Sequence, residues 1–222
     1  MRENRGEIEL AVKHKLPNIV YIKDIKGDLH IHSSFEIEPS HDMGKNSMED
    51  MLKRAHELKY EYMAFSEHNP STSNHMKNQI YSILARRKEK IEQLSESIKN
   101  VQIINLLEVD ILPNGELAID DKAFEYVDAA IVSIHSVFRT SRDQMTKRVL
   151  QGLSHPKARI LAHPSGRKIN QREGYELDYD KIFDFCLKSN KAIEINAYPD
   201  RLDLIDSLVF EARKLGIKFV IN

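Results

Sequence analysis

Seven short apolar runs divide the chain: GDLHIH (27–32), YEYMAFSEH (60–68), VQIINLLEVD (101–110), YVDAAIVSIH (126–135), ARILAH (158–163), KAIEIN (191–196) and GIKFVIN (216–222). Each is bounded by polar or turn residues, which is the pattern of a buried parallel strand. Between them the apolar period lengthens to that of a helix. Ser47 opens SMEDMLKRAHELKY, with Asp50 three residues on and Met48, Met51, Leu52, Ala55 and Leu58 as an apolar stripe. A longer helix fills roughly residues 75–99, with Ile80, Ile83, Leu84, Ile91, Leu94 and Ile98 on one side. Its charged segment RRKEKIE reads as a solvated face. Ser141 with Gln144 opens a helix over DQMTKRVLQGL, and Asp178 opens YDKIFDFCLKSN. LDLIDSLVFEARKLG runs to Gly216, a natural C-cap. Strand and helix alternate from residue 27 to the end, which predicts an α/β fold with a parallel sheet and right-handed crossovers. Residues 1–26 are charged, contain Pro17 and stand outside the alternation. They read as a lead-in segment to a domain over 27–222.

Composition narrows the class. A chain of 222 residues, 41% hydrophobic and 30% charged, is ordinary for one globular domain. The net charge of −1 gives no global field that argues for nucleic acid. Cys186, the single cysteine, falls in a helical stretch and reads as a packed, reduced thiol. The N-terminus lacks an apolar signal region and no 18 apolar residues run together, so the expectation is a cytoplasmic protein with no membrane partner.

The chemistry lies where the strands end. The C-terminal ends of parallel strands converge on one rim of a barrel, the place where such folds build their sites. His30 and His32 are two apart and so share a strand face. His68, Glu108, His135 and His163 close, or nearly close, four further runs. Five histidines and a glutamate gathered on one rim point to bound metal, with Asp28 as a ligand or as an orienting partner behind one. Mixed imidazole and carboxylate donors suit zinc, manganese or iron better than magnesium. Arg139, Arg167 and Arg201 follow strand-end motifs and are candidates to grip a phosphate, with a plain surface role as the alternative. Tyr198 either stacks on a base or sugar or belongs to the core.

Taken in order, GDLHIHSS, FSEHNP, LEVDILPNG, VSIHS, LAHPSGR and EINAYPDRLDL resemble the PHP (polymerase and histidinol phosphatase) superfamily. The likeness is strongest to the PHP module at the C-terminal end of bacterial and archaeal family-X DNA polymerases. Even the lead-in segment resembles the approach to that module. The resemblance implies a distorted seven-stranded (β/α)7 TIM-like barrel holding two to three divalent transition-metal ions. The implied activity is phosphoester hydrolysis, as a 3′–5′ exonuclease or 3′-end processor of DNA beside a polymerase domain.

Position by position, the resemblance makes His30 and His32 the first ligand pair and Glu108 the bridging carboxylate. His135 and His163 become ligands of the second ion and His68 a ligand of the third, with Glu108, His135 and His68 closest to the chemistry. The third ion ordinarily takes an aspartate from a short turn after the HxH pair. Here the longer FEIEPSHDMGKNS replaces that turn, so Asp42 is preferred, with His41, Glu36 and Glu38 as alternatives. Leu106 and Leu107 stand where the family often has glycine or alanine, and their bulk is expected to narrow the pocket floor. The sequence ends at Asn222, where the family's last Asp-x-His motif would begin, so the expectation is a barrel incomplete at its C-terminus. A stand-alone small-molecule phosphatase and a ligand-depleted, non-catalytic scaffold are the rival readings.

Overall fold

The computed structural model describes residues 6–222, so the first five residues of the expected lead-in lie outside it. The seven runs form seven strands: β1 (Gly27–Ile31), β2 (Tyr62–Phe65), β3 (Gln102–Asp110), β4 (Ala129–Ser133), β5 (Ala158–Leu161), β6 (Ala192–Ile195) and β7 (Lys218–Ile221). All neighbours pair in parallel, in the order β1 to β7. The sheet curls into a nearly closed, TIM-like α/β barrel. Its seam lies between β1 and β7, where Asn222 Oδ1 accepts from the Leu29 N–H at 2.9 Å.

Side-chain alternation sorts each strand into two faces. Ala64, Leu106, Ile131 and Ile160 fill the barrel interior, while Leu107, Val109, Val132 and Leu161 face outward into the helix layer. Only Leu106 of the Leu106–Leu107 pair therefore lies beneath the rim. Each of the valine, leucine and isoleucine side chains, once fully buried, contributes about 1.5–3 kcal/mol. The covering helices are α2 (Met48–Glu57), α3 (Lys77–Ser97), α4 (Arg142–Leu153), α5 (Tyr179–Ser189) and α6 (Asp206–Leu215). A short helix, α1 (Glu7–Val12), precedes the barrel and buries none of its residues.

The caps follow the sequence. Ser47 accepts from the Asp50 N–H, and Ser141 with Gln144 forms a reciprocal capping box. Gly216 ends α6 in the left-handed conformation at φ 85°. Cys186 is buried, and that burial pushes its thiol up to about 12. Among the described residues no helix is long and apolar enough to cross a membrane.

Three expectations change. The connection from β3 to β4 carries only a 3-10 turn (Ala123–Tyr126), so the alternation is interrupted there. Helix α6 starts at Asp206 because the residues before it form a loop in which Asp203 accepts from the Ser165 and Gly166 N–H groups. The tract RRKEKIE is not uniformly solvated: Arg87 is fully buried. Its Nε donates to Glu67 Oε2 at 2.6 Å, Nη1 bonds Asn105 Oδ1, and Nη2 reaches the Phe65 and Leu106 carbonyls at 2.8 Å each. Position 87 falls on the same helical stripe as Ile80, Ile83, Leu84, Ile91 and Leu94, and that placement overrides its charge.

Burial alone would raise the Glu67 carboxyl, but the Arg87 charge and the Ser33 hydroxyl hold it below its ordinary value of 4.5. The pair's stabilisation is therefore complete above that value and lost as pH falls below it, through the lowered folded value. Removing one partner of a buried, hydrogen-bonded ion pair costs about 3–5 kcal/mol. Urea denaturation of Arg87→Met at neutral pH is expected to show a loss of that size. Adding Glu67→Gln to it should cost less than the two single losses combined; simple additivity would show that the two side chains are not coupled.

Candidate metal centre

The rim is organised around one carboxylate. Glu108 lies on the inward face of β3, two residues beyond Leu106, and is 1% exposed. Five imidazoles address it. His30 Nε2, His32 Nε2 and His68 Nδ1 lie 3.0, 3.1 and 3.1 Å from Glu108 Oε2. His135 Nε2 and His163 Nε2 lie 3.3 and 3.0 Å from Glu108 Oε1. Burial would raise the Glu108 carboxyl, but the His30 charge and the bonds from His135 and His163 hold it well below the usual range.

Local backbone delivers each ring. The sheet register shifts between Asp28 and Ile31, within the strand that brings both His30 and His32 to Glu108. His68 pairs with Glu108 as an isolated parallel bridge beyond β2. His135 continues the inward series Ala129, Ile131, Ser133 of β4. His163 does not follow alternation: Leu161 faces outward, and a positive φ of 27° at His163 turns the chain where its ring reaches the rim.

The donor set fits metal. A carboxylate offers about four lone-pair sites, fewer than the five nitrogens crowded on Glu108. His32 Nε2, His68 Nδ1 and His163 Nδ1 are buried and make no hydrogen bond among the described residues. Burial, above all, lowers His68 to about 4 and lowers His163, so both rings are neutral with lone pairs available. Among the described residues three groups, two of which share His68, have their ligand atoms within 4.8 Å: His30–Glu108–His163, His32–Asp42–His68, and His41–His68–Asp110–His135.

Further carboxylates orient the rings from behind. Glu194 Oε1 bonds His30 Nδ1 at 2.7 Å, and Asp110 Oδ1 bonds His135 Nδ1 at 2.7 Å. Burial opposes ionisation of Glu194, yet the His30 charge takes it down to about 2. Asp28 Oδ1 accepts from the His30 N–H, and burial pushes that carboxyl up to about 6. Glu194 and Asp110 are absent from the candidates drawn from sequence. Both sit on inward strand positions, two beyond Ala192 and two beyond Glu108, so the alternation was their signal.

The long loop after β1 supplies two more groups. Asp42 Oδ1 lies 3.6 Å from His68 Nε2, with its side chain 90% exposed. His41 Nε2 bonds Asp110 Oδ2 at 2.9 Å. Glu38 instead pairs with His75, and Glu36 lines a separate groove with Lys90. Gly44 holds this loop against β1, since a Cβ there would come 1.8 Å from the His32 carbonyl oxygen.

All of these rim groups except Glu194 and Asp110 line an open cavity of about 980 Å³. Arg201 and Tyr198 line it too, whereas Arg139 is exposed and does not. Arg167 is committed to backbone, its Nε donating to the Arg201 carbonyl at 2.8 Å and its Nη2 to that of Leu202.

Known proteins place the arrangement. The sequence profile of the PHP domain matches residues 28–198. The DNA polymerase/3′-5′ exonuclease PolX of Bacillus subtilis (strain 168) is 34% identical over 211 residues, covering 92% of this chain and 35% of that relative. The chain thus spans about a third of the relative's length.

Dialysed protein is expected to carry zinc, manganese or iron by elemental analysis, and Glu108→Ala to lose more of it than any single histidine variant. Losing a carboxylate behind a metal-binding histidine typically weakens affinity about 10–100-fold. Competition with a chelator should show a loss of that size for Glu194→Gln; unaltered affinity would remove Glu194 from the centre.

Proposed function

The chain belongs to the PHP domain family, and we propose that it is a metal-dependent phosphoester hydrolase acting at DNA 3′ ends, as the exonuclease or end-processing module of a family-X type polymerase. The observation that carries the reading is Glu108, buried at the barrel rim with five imidazole nitrogens within 3.3 Å. Two to three ions of zinc, manganese or iron suit its donors. The name of the Bacillus subtilis relative favours DNA as the substrate over a small phosphate ester. In this reading residues 27–222 are the hydrolase, and residues 1–26 are the connection to a polymerase portion.

Divalent ions held there would supply Lewis acidity toward a phosphoryl oxygen and a more acidic water as nucleophile. The chain's own residues position the rest. Glu108, His30, His32, His135 and His163 would hold the ions. His68 and Asp42 face the third position. Glu194 and Asp110 fix the tautomers of His30 and His135 by accepting from their Nδ1–H groups. Arg201 Nη1 is buried on the cavity wall without a hydrogen bond, which suits it to a non-bridging phosphate oxygen. Hydrolysis forms a bond from water oxygen to phosphorus and breaks the bond to the 3′ oxygen. That oxygen leaves with a proton on the shortened strand, and a nucleoside 5′-monophosphate is released.

A 5′-labelled single-stranded oligonucleotide incubated with Mn²⁺ is expected to shorten from its 3′ end, and Glu108→Ala to abolish the shortening. Faster turnover of histidinol phosphate than of any oligonucleotide would establish the small-molecule reading instead. Bound metal with no turnover of either would establish a scaffold.

A further inference from the structure

One wall of the cavity differs from the metal-binding floor. It is made by two loops, one after β5 and one after β6, that are joined along their length. Ile169 N–H donates to the Asp200 carbonyl at 2.6 Å, and Arg167 Nε to the Arg201 carbonyl at 2.8 Å. The buried Asp203 carboxylate accepts from the Ser165 and Gly166 N–H groups at 3.0 and 2.9 Å. Within the first loop Lys168 and Arg172 exchange backbone hydrogen bonds at 2.9 and 2.8 Å. The wall is therefore a built surface, tied down by backbone and a buried charge.

Its chemistry is cationic and aromatic. Lys168, Arg172 and Arg201 line the cavity here, against Asp200 as the carboxylate on this wall. Arg172 lies over the Phe138 ring at 4.2 Å and donates one edge to the Gly166 carbonyl, through Nε at 2.9 Å and Nη2 at 2.6 Å. Burial first, and then the neighbouring Arg201 charge, lower its guanidinium. Among the described residues Arg201 Nη1 has no hydrogen-bond partner, whereas the Arg167 guanidinium is committed to backbone carbonyls. Tyr198, 64% exposed, stands on the same wall. Three cations and an exposed ring thus stand together on one wall of the cavity.

We propose that this wall is a second phosphate and base subsite, so that the centre takes the end of a single-stranded polynucleotide and grips the phosphate next to the reacting one. The inference rests on the phosphoesterase reading and names its substrate class. Lys168 and Arg172 hold the neighbouring phosphate, Arg201 stands between the two phosphates, and Tyr198 stacks on a base.

Binding of a fluorescein-labelled single-stranded oligothymidylate to the metal-stripped full chain, followed by anisotropy across a salt series, tests it without turnover. For single strands each lost phosphate contact lowers the magnitude of the log–log salt slope by about 0.7. Lys168→Gln and Arg172→Gln are each expected to lower it by that amount, and Tyr198→Ala to weaken binding about tenfold without changing the slope. Lys168→Gln leaves the Phe138 stack intact, so it reports even if Arg172→Gln fails to fold. Slopes equal to that of the parent chain, or no binding by the parent, would overturn the subsite. Turnover of p-nitrophenyl phosphate with Mn²⁺ is read in parallel. Turnover without oligothymidylate binding overturns the subsite and leaves the phosphoesterase standing; binding through Lys168 and Arg172 without turnover does the reverse.

Discussion

A carboxylate taken out of water loses its hydration and must be compensated where it lies. Glu108 is that group here, and the architecture of the rim follows from compensating it. Three strands, β1, β4 and β5, or the residues just beyond them, bring four rings to its two oxygens, and the segment after β2 supplies a fifth. The same crowding leaves imidazole nitrogens without hydrogen-bond partners. A cation bound there would offset the carboxylate's charge and take up lone pairs that the protein alone leaves idle. Glu194 and Asp110 extend the logic outward, each holding a ring that faces Glu108.

Much of this was legible in the chain because strand period and chemistry coincide. Runs bounded by turns gave the strands, and the residues at their ends gave the rim. What escaped did so for identifiable reasons. Glu194 was hidden because KAIEIN reads as a run ending in Asn196, although two-residue alternation from Ala192 places Glu194 inside. Arg87 was hidden by the charged residues around it, although its helical position matches the buried stripe. His163 reaches the rim through a positive φ that no pattern of apolar residues encodes. Arg139 and Arg167 follow strands as expected, but where a loop guanidinium points is decided by that loop's own hydrogen bonds. Those of Arg167 go to the backbone at 201 and 202.

The hidden ion pair and the visible site are one construction. Arg87 bonds the carbonyls of Phe65 and Leu106, on neighbouring strands, and the carboxylate of Glu67, one residue before His68. The Glu67 carbonyl in turn accepts from the Glu108 N–H at 2.9 Å. A helix packed on the outside of the barrel thereby sets the spacing of two groups on its inside.

The seam has a consequence for fluctuations. A strand with neighbours on both sides opens only when two ladders break, whereas an edge strand opens when one does. β1 is such an edge: beyond the ladder to β2, its opposite side meets the Asn222 side chain at Leu29. Among the strands that carry these rim groups, His30 and His32 therefore ride on the one with a single ladder, while Glu108, His135 and His163 are carried on or just beyond strands paired on both sides. Local opening at the seam separates the first histidine pair from the rest while the remainder stays assembled. An ion held by that pair would then exchange faster than one held only by groups on strands paired on both sides.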